Sequence, residues 1–215
     1  MAAEIDFNFY LITDRNQCGG LRLVDVVEDA LKGGVKAVQL REKDLSSREL
    51  YELAYEMRKL TARYNARLLI NDRVDIALAV DADGVHLGGQ SMPLHRTRKI
   101  LGREKLIAVS CHNQVNAIMA QEAGADFITF GPVFYTPSKA VYGKPVGLEM
   151  LEEVTHLLQI PVFALGGIKA DNVAEVMAAG ASGVSLVSAI IASEDPKDEA
   201  AKLLAMLPVP NISEP

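Results

Sequence analysis

The segment Gln39-Leu40-Arg41-Glu42-Lys43 places an amide and two cations within five residues, directly after the apolar run Val35 to Leu40. Side chains alternate along an extended strand, so Gln39, Arg41 and Lys43 are expected on one side and Val38 and Leu40 on the other. Such a rank of groups at a strand end suits an anion, although a strand that merely exits into solvent would read the same way. Other short apolar segments end in similar chemistry. Asn71-Asp72 follows Leu68-Leu69-Ile70, Ser110 follows Ile107-Ala108-Val109, Gly166-Gly167 follows Phe163-Ala164-Leu165, and Ser188 follows Val184 to Val187. The loop Gly131 to Lys139 adds two hydroxyls, Thr136 and Ser138, and a terminal cation, Lys139.

Phosphate fits these groups. Gly166-Gly167-Ile168 and Val187-Ser188-Ala189 suit loops that offer backbone N–H groups and a helix N-terminus to an anion, and glycine removes the Cβ that would block the approach. Tight turns are the alternative reading. Asp72 is open to two readings: it caps the helix that follows, or it is a hard oxygen ligand for Mg²⁺, which takes one or two carboxylates, waters and substrate phosphate oxygens. The segment Ala140 to Gly147, with Gly143 and Pro145, suits a flap that shields a reaction from water. His86, His95, His112 and His156 lack metal-ligand spacing and read as structural or surface residues. Cys111 and His112 are a weak nucleophile pair, since strand neighbours face opposite ways.

These residues need elements to bring them together. A helical segment that ends at glycine and runs into a short apolar strand recurs at Gly33-Gly34, Asp83-Gly84, Gly124-Ala125-Asp126 and Gly180-Ala181-Ser182-Gly183, each read as a helix C-cap feeding a strand. Strands are predicted near 8–13, 36–41, 67–71, 84–87, 106–110, 126–131, 161–165 and 183–187. Amphipathic helices are predicted near 22–33, 46–64, 73–80, 93–101, 113–123, 146–158, 169–179 and 195–206. About eight βα units without a linker predict one (β/α)8 TIM barrel over residues 1–207, with 208–215 as a disordered tail. An open doubly wound sheet is the rival, but no Gly-x-Gly-x-x-Gly follows the first strand. In a barrel all these strand ends open on one face.

Composition limits the partners. The chain of 215 residues is 49% hydrophobic and 23% charged, as in an ordinary soluble globular protein, and has no apolar run long enough to span a membrane. A net charge of -6 and the absence of Trp argue against a broad nucleic-acid surface, so small-molecule substrates held by a local cationic cluster are expected. Acidic residues near Met1 argue against an export leader, and a cytoplasmic location follows as the expectation. Cys18 and Cys111 read as free thiols. The sequence leaves homo-oligomer formation open.

The motifs Tyr10-Leu11-Ile12-Thr13-Asp14, Gln39-Leu40-Arg41-Glu42-Lys43-Asp44, Ile70-Asn71-Asp72-Arg73, Gly131-Pro132-Val133-Phe134 and Gly183-Val184-Ser185-Leu186-Val187-Ser188 stand in the order found in the thiamine phosphate synthase and thiazole tautomerase family. The resemblance spans nearly the whole chain. It implies a barrel transferase that joins hydroxymethylpyrimidine diphosphate to thiazole phosphate, releasing pyrophosphate, with Mg²⁺ as cofactor. It implies that Gln39 and Ser110 contact the pyrimidine. Arg41, Lys43, Asn71 and Lys139 then clamp the diphosphate, with Arg41, Lys43 and Lys139 as the catalytic cations. Thr136, Ser138, Gly166, Gly167, Val187 and Ser188 fall where the family holds the thiazole phosphate.

Asp72 matches a Mg²⁺ ligand of the family. The second ligand, usually Asp, aligns with Ser91, a weaker neutral oxygen. Tyr135 stands where synthases commonly have Pro, and Pro132 stands where the tautomerase branch has a His base. A tautomerase-like isomerase and a non-catalytic thiazole-phosphate binder are therefore alternatives to the synthase.

Overall fold

Eight short runs, apolar on both faces, are the pattern of parallel strands covered on each side. In the computed structural model, which describes residues 5–137 and 144–209, they form β1 (Phe9–Ile12), β2 (Ala37–Leu40), β3 (Arg67–Asn71), β4 (Gly84–Leu87), β5 (Leu106–Cys111), β6 (Phe127–Phe130), β7 (Val162–Leu165) and β8 (Gly183–Leu186). All eight pair in parallel and in chain order, and β8 pairs back to β1, so the sheet closes into a barrel. Around it run α1 (Leu23–Lys32), α2 (Ser47–Arg63), α3 (Val74–Ala79), α4 (Leu94–Leu101), α5 (Gln114–Glu122), α6 (Gly147–Leu157), α7 (Val173–Ala178), α8 (Ser188–Ile191) and α9 (Pro196–Ala205). The fold is a single-domain (β/α)8 TIM barrel, as the repeat pattern implies. None of its described helices is long and apolar enough to cross a membrane.

Strand parity divides the core into two layers. Outward residues such as Leu11, Val38, Leu40, Ile70 and Ile128 pack against the helices. Inward residues Tyr10, Ile12, Ala37, Leu69, Leu106, Ala108, Phe127 and Phe163 fill the barrel. Phe7 closes the end from which the strands start, edge-on to Phe127 with ring centroids 5.6 Å apart.

The recurring helix-to-strand phrase serves a purpose beyond capping. Gly34, Gly124 and Gly180 take the left-handed backbone at φ 107°, 92° and 83°, as expected after a helix. The phrase at Asp83-Gly84 differs. Asp81 takes the left-handed turn at φ 52°, and Gly84 is the first residue of β4, where a Cβ would lie 2.1 Å from the Leu106 carbonyl oxygen. Just ahead of each even strand from β4 onward, a side chain ties down the first or second N–H of the preceding odd strand. Asp83 accepts from Leu68 N at 2.8 Å, Asp126 from Ile107 N at 2.6 Å, and Ser182 from Val162 N at 3.2 Å.

Two further elements depart from the sequence expectation. The α7 helix starts at Val173 rather than near 169, because the Asn172 side chain accepts from Lys169 N at 2.8 Å and closes a turn there. The four-residue α8 at Ser188 is too short to leave a helical period in the sequence. At the other end of the chain Leu207 is buried, and the Asn8 side-chain amide donates to the Pro208 carbonyl. Residues 210–215 of the expected tail lie outside the described residues.

The exit of β2 corrects the simple alternation expected for Gln39, Arg41 and Lys43. The strand ends at Leu40, so Arg41 and Lys43 belong to the loop. The cause is Glu42, which is only 5% exposed. Its carboxylate accepts from Thr13 Oγ1 at 2.6 Å, from Arg15 N at 3.2 Å and from the Arg15 guanidinium at 3.1 Å. Thr13 Oγ1 in turn accepts from Arg41 N at 2.9 Å, which takes that amide out of the strand ladder. Arg15 also binds Asp44 at 2.5 Å and 2.7 Å, so one guanidinium braces both ends of the turn. Glu42→Gln would turn an amide N–H₂ toward these donors. The expected loss is on the order of 2 kcal/mol of unfolding free energy, the cost of leaving buried groups unsatisfied, read as a lower urea midpoint at unchanged slope.

Candidate functional site

The strand ends of β2 to β5 form one arc of the rim. Gln39 on β2 is buried at 1% exposure, and Asn71 and Ser110 are half-buried at the ends of β3 and β5. Beneath them, inward-facing polar groups form a continuous chain. Gln39 Nε2 donates to the Tyr10 hydroxyl at 3.3 Å, that hydroxyl lies 3.3 Å from His86 Nδ1, and His86 Nε2 lies 2.8 Å from Ser110 Oγ. Thr129 Oγ1 on β6 donates to Ser110 Oγ at 3.3 Å and lies 3.5 Å from His86 Nε2. The Tyr10 and His86 rings also stack, with centroids 5.8 Å apart. Among the described residues, Ser185 Oγ is the buried side-chain atom left without a partner.

Burial sets the charge states of this chain. Desolvation lowers the His86 pKa to about 3, with Asp72 acting in the opposite direction and Arg41 adding to the fall, so His86 is neutral near pH 7. Burial also pushes the Tyr10 phenol far up, and it remains protonated. Cys111 is pushed up to about 12 by burial, and its thiol bonds to the Asn116 carbonyl at 3.5 Å. His112 Nδ1 donates to the Gly131 carbonyl at 2.5 Å, so Cys111 and His112 are each engaged elsewhere.

Asp72 stands at the end of β3 in the left-handed backbone region, at φ 60°, where a non-glycine residue is strained. Its N–H donates to the His86 carbonyl at 3.0 Å. The helix-cap reading does not hold, because Arg73 is the N-cap of α3 and no side chain caps that helix. The Asp72 carboxylate instead accepts from Asn71 Nδ2 at 2.8 Å and from the Ser91 hydroxyl. Ser91 Oγ itself accepts from Gly88 N at 2.6 Å. Sequence-distant Asp72 and Ser91 are therefore direct neighbours. Among the described residues no group of three or more His, Cys, Asp or Glu is placed to hold a metal by itself.

The ends of β6 to β8 form the opposite arc. Val133 N donates to the Leu165 carbonyl at 2.9 Å and Phe134 N to the Gly166 carbonyl at 3.0 Å, so the loop after β6 is laid along the loop after β7. This close approach is what requires glycine. A Cβ at Gly166 would lie 2.5 Å from Pro132 Cβ, and one at Gly167 2.7 Å from the Tyr135 carbonyl oxygen, both from left-handed backbone at φ 101° and 67°. Thr136 is half-buried in that loop, and Ser188 opens α8 with Val187 as its N-cap. Ser138, Lys139 and the flap residues 140–143 lie outside the described residues. Downstream, Val146 N donates to the Pro132 carbonyl at 2.8 Å and Gly147 N to the Val133 carbonyl at 3.2 Å.

Four residues around the site received no role from the sequence: Tyr10, Thr13 and Glu42, which stand within quoted motifs, and Thr129. Parity held the signal for two of them. Tyr10 and Thr129, like His86, occupy inward positions on their strands, in step with Gln39 and Ser110.

Comparison with known proteins supports a family assignment. The family model described as thiamine monophosphate synthase matches residues 9–190. A putative thiamine-phosphate synthase of Geobacter sulfurreducens is 62% identical over 206 residues, which cover 96% of this chain and 97% of the relative. A thiamine-phosphate synthase of Clostridium novyi is 48% identical, covering 89% of this chain and 94% of the relative. The solved structure of a thiamine phosphate pyrophosphorylase from Pyrococcus furiosus superposes with a TM-score of 0.85 at 37% identity, covering 93% of this chain and 94% of that one. With the barrel and the motif-bearing strand ends, these matches place the chain in the thiamine monophosphate synthase family.

Proposed function

We propose that the chain is a thiamine phosphate synthase, a transferase that joins a hydroxymethylpyrimidine diphosphate to a thiazole phosphate and releases pyrophosphate. The observation that carries this reading is the division of one rim into two arcs. Gln39, Asn71, Asp72 and Ser110 stand on the β2 to β5 side, whereas Thr136, Gly166, Gly167, Val187 and Ser188 stand on the β6 to β8 side. Two different fragments held on facing arcs meet over the middle of the barrel.

Gln39 and Ser110 take the pyrimidine, and Arg41, Lys43, Asn71 and Lys139 take its diphosphate. The Gly166-Gly167 and Val187-Ser188 loops, with Thr136 and Ser138, take the thiazole phosphate through backbone N–H groups and hydroxyls. Rim cations stabilise the diphosphate as it leaves. The pyrimidine carbon then bears positive charge, and the thiazole nitrogen attacks it. Such a route is driven by charge stabilisation and orientation rather than by a general base. It suits a site in which His86 is buried and neutral and Cys111 is a buried thiol.

The residues present fit Mg²⁺. Asp72 presents a carboxylate at the rim with the Ser91 hydroxyl on it, and Mg²⁺ needs only one or two carboxylates when phosphate oxygens and water complete its shell. Asp72, with Ser91 beside it, would hold the ion, which when bound supplies charge neutralisation for the diphosphate. The isomerase alternative needs a base that Pro132 lacks.

Pyrophosphate release from the two substrates, followed across Mg²⁺ concentration, tests the reading; no turnover above background would reject it. Asp72→Asn is expected to lower activity at limiting Mg²⁺ by roughly tenfold or more, the scale of a disturbed metal site. Ser91→Asp is expected to lower the Mg²⁺ concentration that gives half-maximal rate. An unchanged Mg²⁺ dependence in Ser91→Asp would remove Ser91 from the metal site.

A further inference from the structure

We propose that Tyr10 and His86 are positioning residues that fix the direction of the interior hydrogen bonds, so that Ser110 meets the bound ring only as a donor. The proposal rests on the reading of Gln39 and Ser110 as the pyrimidine contacts.

The direction is set at Gln39. Its Nε2 donates to the Tyr10 oxygen at 3.3 Å, which leaves the phenol proton for His86 Nδ1, also at 3.3 Å. A neutral imidazole has one proton. With Nδ1 accepting, that proton is on Nε2, and Nε2 donates to Ser110 Oγ at 2.8 Å. Thr129 Oγ1 donates to the same oxygen at 3.3 Å. A hydroxyl has two acceptor sites and one proton, so both acceptor sites of Ser110 are filled from inside the barrel and its proton remains for the ligand. The supporting groups Tyr10, Gln39, His86 and Thr129 are all buried, whereas Ser110 is half-buried, so the rim is the side from which a ligand reaches it.

Gln39 Oε1 has no partner among the described residues and is an acceptor only. The site thus offers one acceptor and one donor. A ring with an exocyclic amine and an unprotonated ring nitrogen matches both, whereas the oxo analogue, with its carbonyl and ring N–H, mismatches both. Sites that bury polar groups in this way reject the mismatched ligand strongly. If the Gln39 amide were turned over, the Gln39–Tyr10, Tyr10–His86 and His86–Ser110 bonds would reverse, and the oxo ring would be preferred. Tyr10 and His86 therefore act on specificity without touching the ligand.

The state of His86 is readable without turnover. In ¹⁵N-histidine-labelled chain, two-bond ¹H–¹⁵N correlations are expected to show His86 with its proton on Nε2, the signal being assigned by its loss in His86→Gln. A proton on Nδ1 overturns the proposal. In kinetics, Tyr10→Phe is expected to raise KM for the pyrimidine diphosphate about tenfold, the worth of one hydrogen bond, with KM for the thiazole phosphate within about twofold. His86→Leu should do the same, whereas His86→Gln, which restores an amide donor, should recover most of the loss. Equal defects in His86→Leu and His86→Gln, or equal rises in both KM values, mark a merely structural role and refute the proposal. Absence of turnover in the unaltered chain instead refutes the synthase reading and leaves the NMR result to decide the tautomer.

Discussion

Closure of eight parallel strands is the constraint on which the rest of the molecule depends. A closed parallel ring has no free edge, and it gathers every strand's carboxyl end on a single rim. Inward side chains just below that rim are shut off from bulk water, so a polar group placed there needs a partner. Ser185 Oγ excepted, the barrel meets this requirement with one connected set, Gln39, Tyr10, His86, Ser110 and Thr129, drawn from five strands. Each member is fixed by its neighbours, which is how short strands present a rigid polar surface to a ligand.

Stability and chemistry are kept at opposite ends of the barrel. At the starting end, Asp83 and Asp126 each accept from a strand amide and pair with an arginine, Arg58 at 2.5 Å and Arg98 at 2.6 Å. Phe7, Phe127 and Phe163 plug the interior there. At the rim, Asp72 takes the left-handed region, and Gly166 and Gly167 take conformations that glycine adopts freely. These three positions lie in the proposed metal and phosphate loops, and at Gly166 and Gly167 close backbone approach requires glycine.

Much of this was legible in the sequence because apolar runs and glycine punctuation are local signals. The strands near 67–71 and 84–87 fall where the pattern places them. What was not legible depends on contacts distant along the chain. Nothing within Gln39 to Lys43 shows that Glu42 would be buried against Thr13 and Arg15, and that contact ends the strand at Leu40 and moves Arg41 into the loop. Likewise Asp72 reads locally as a helix cap, and only the fold brings Ser91 onto its carboxylate. His86 lacks a local motif partner because its partners come from β1, β5 and β6.

The Asp72 and Ser91 contact bears on how a proposed metal position with one carboxylate and a hydroxyl would manage a diphosphate. A second Asp at position 91 would stand against Asp72 and repel it, a conflict that a bound dication relieves. The Ser91 hydroxyl instead donates to Asp72 and accepts from Gly88 N, so the carboxylate is oriented without any ion. Replacing a charge by a hydroxyl thus makes the site more self-sufficient when empty and less attractive to a cation. On the proposed reading, more of the diphosphate charge then falls to Arg41 and Lys43. The turn that carries those two cations is the one braced by Glu42, Arg15 and Asp44. A buried carboxylate that plays no part in the chemistry therefore does for the cations what Ser91 does for Asp72: it fixes, in advance of the ligand, the direction in which charge is presented.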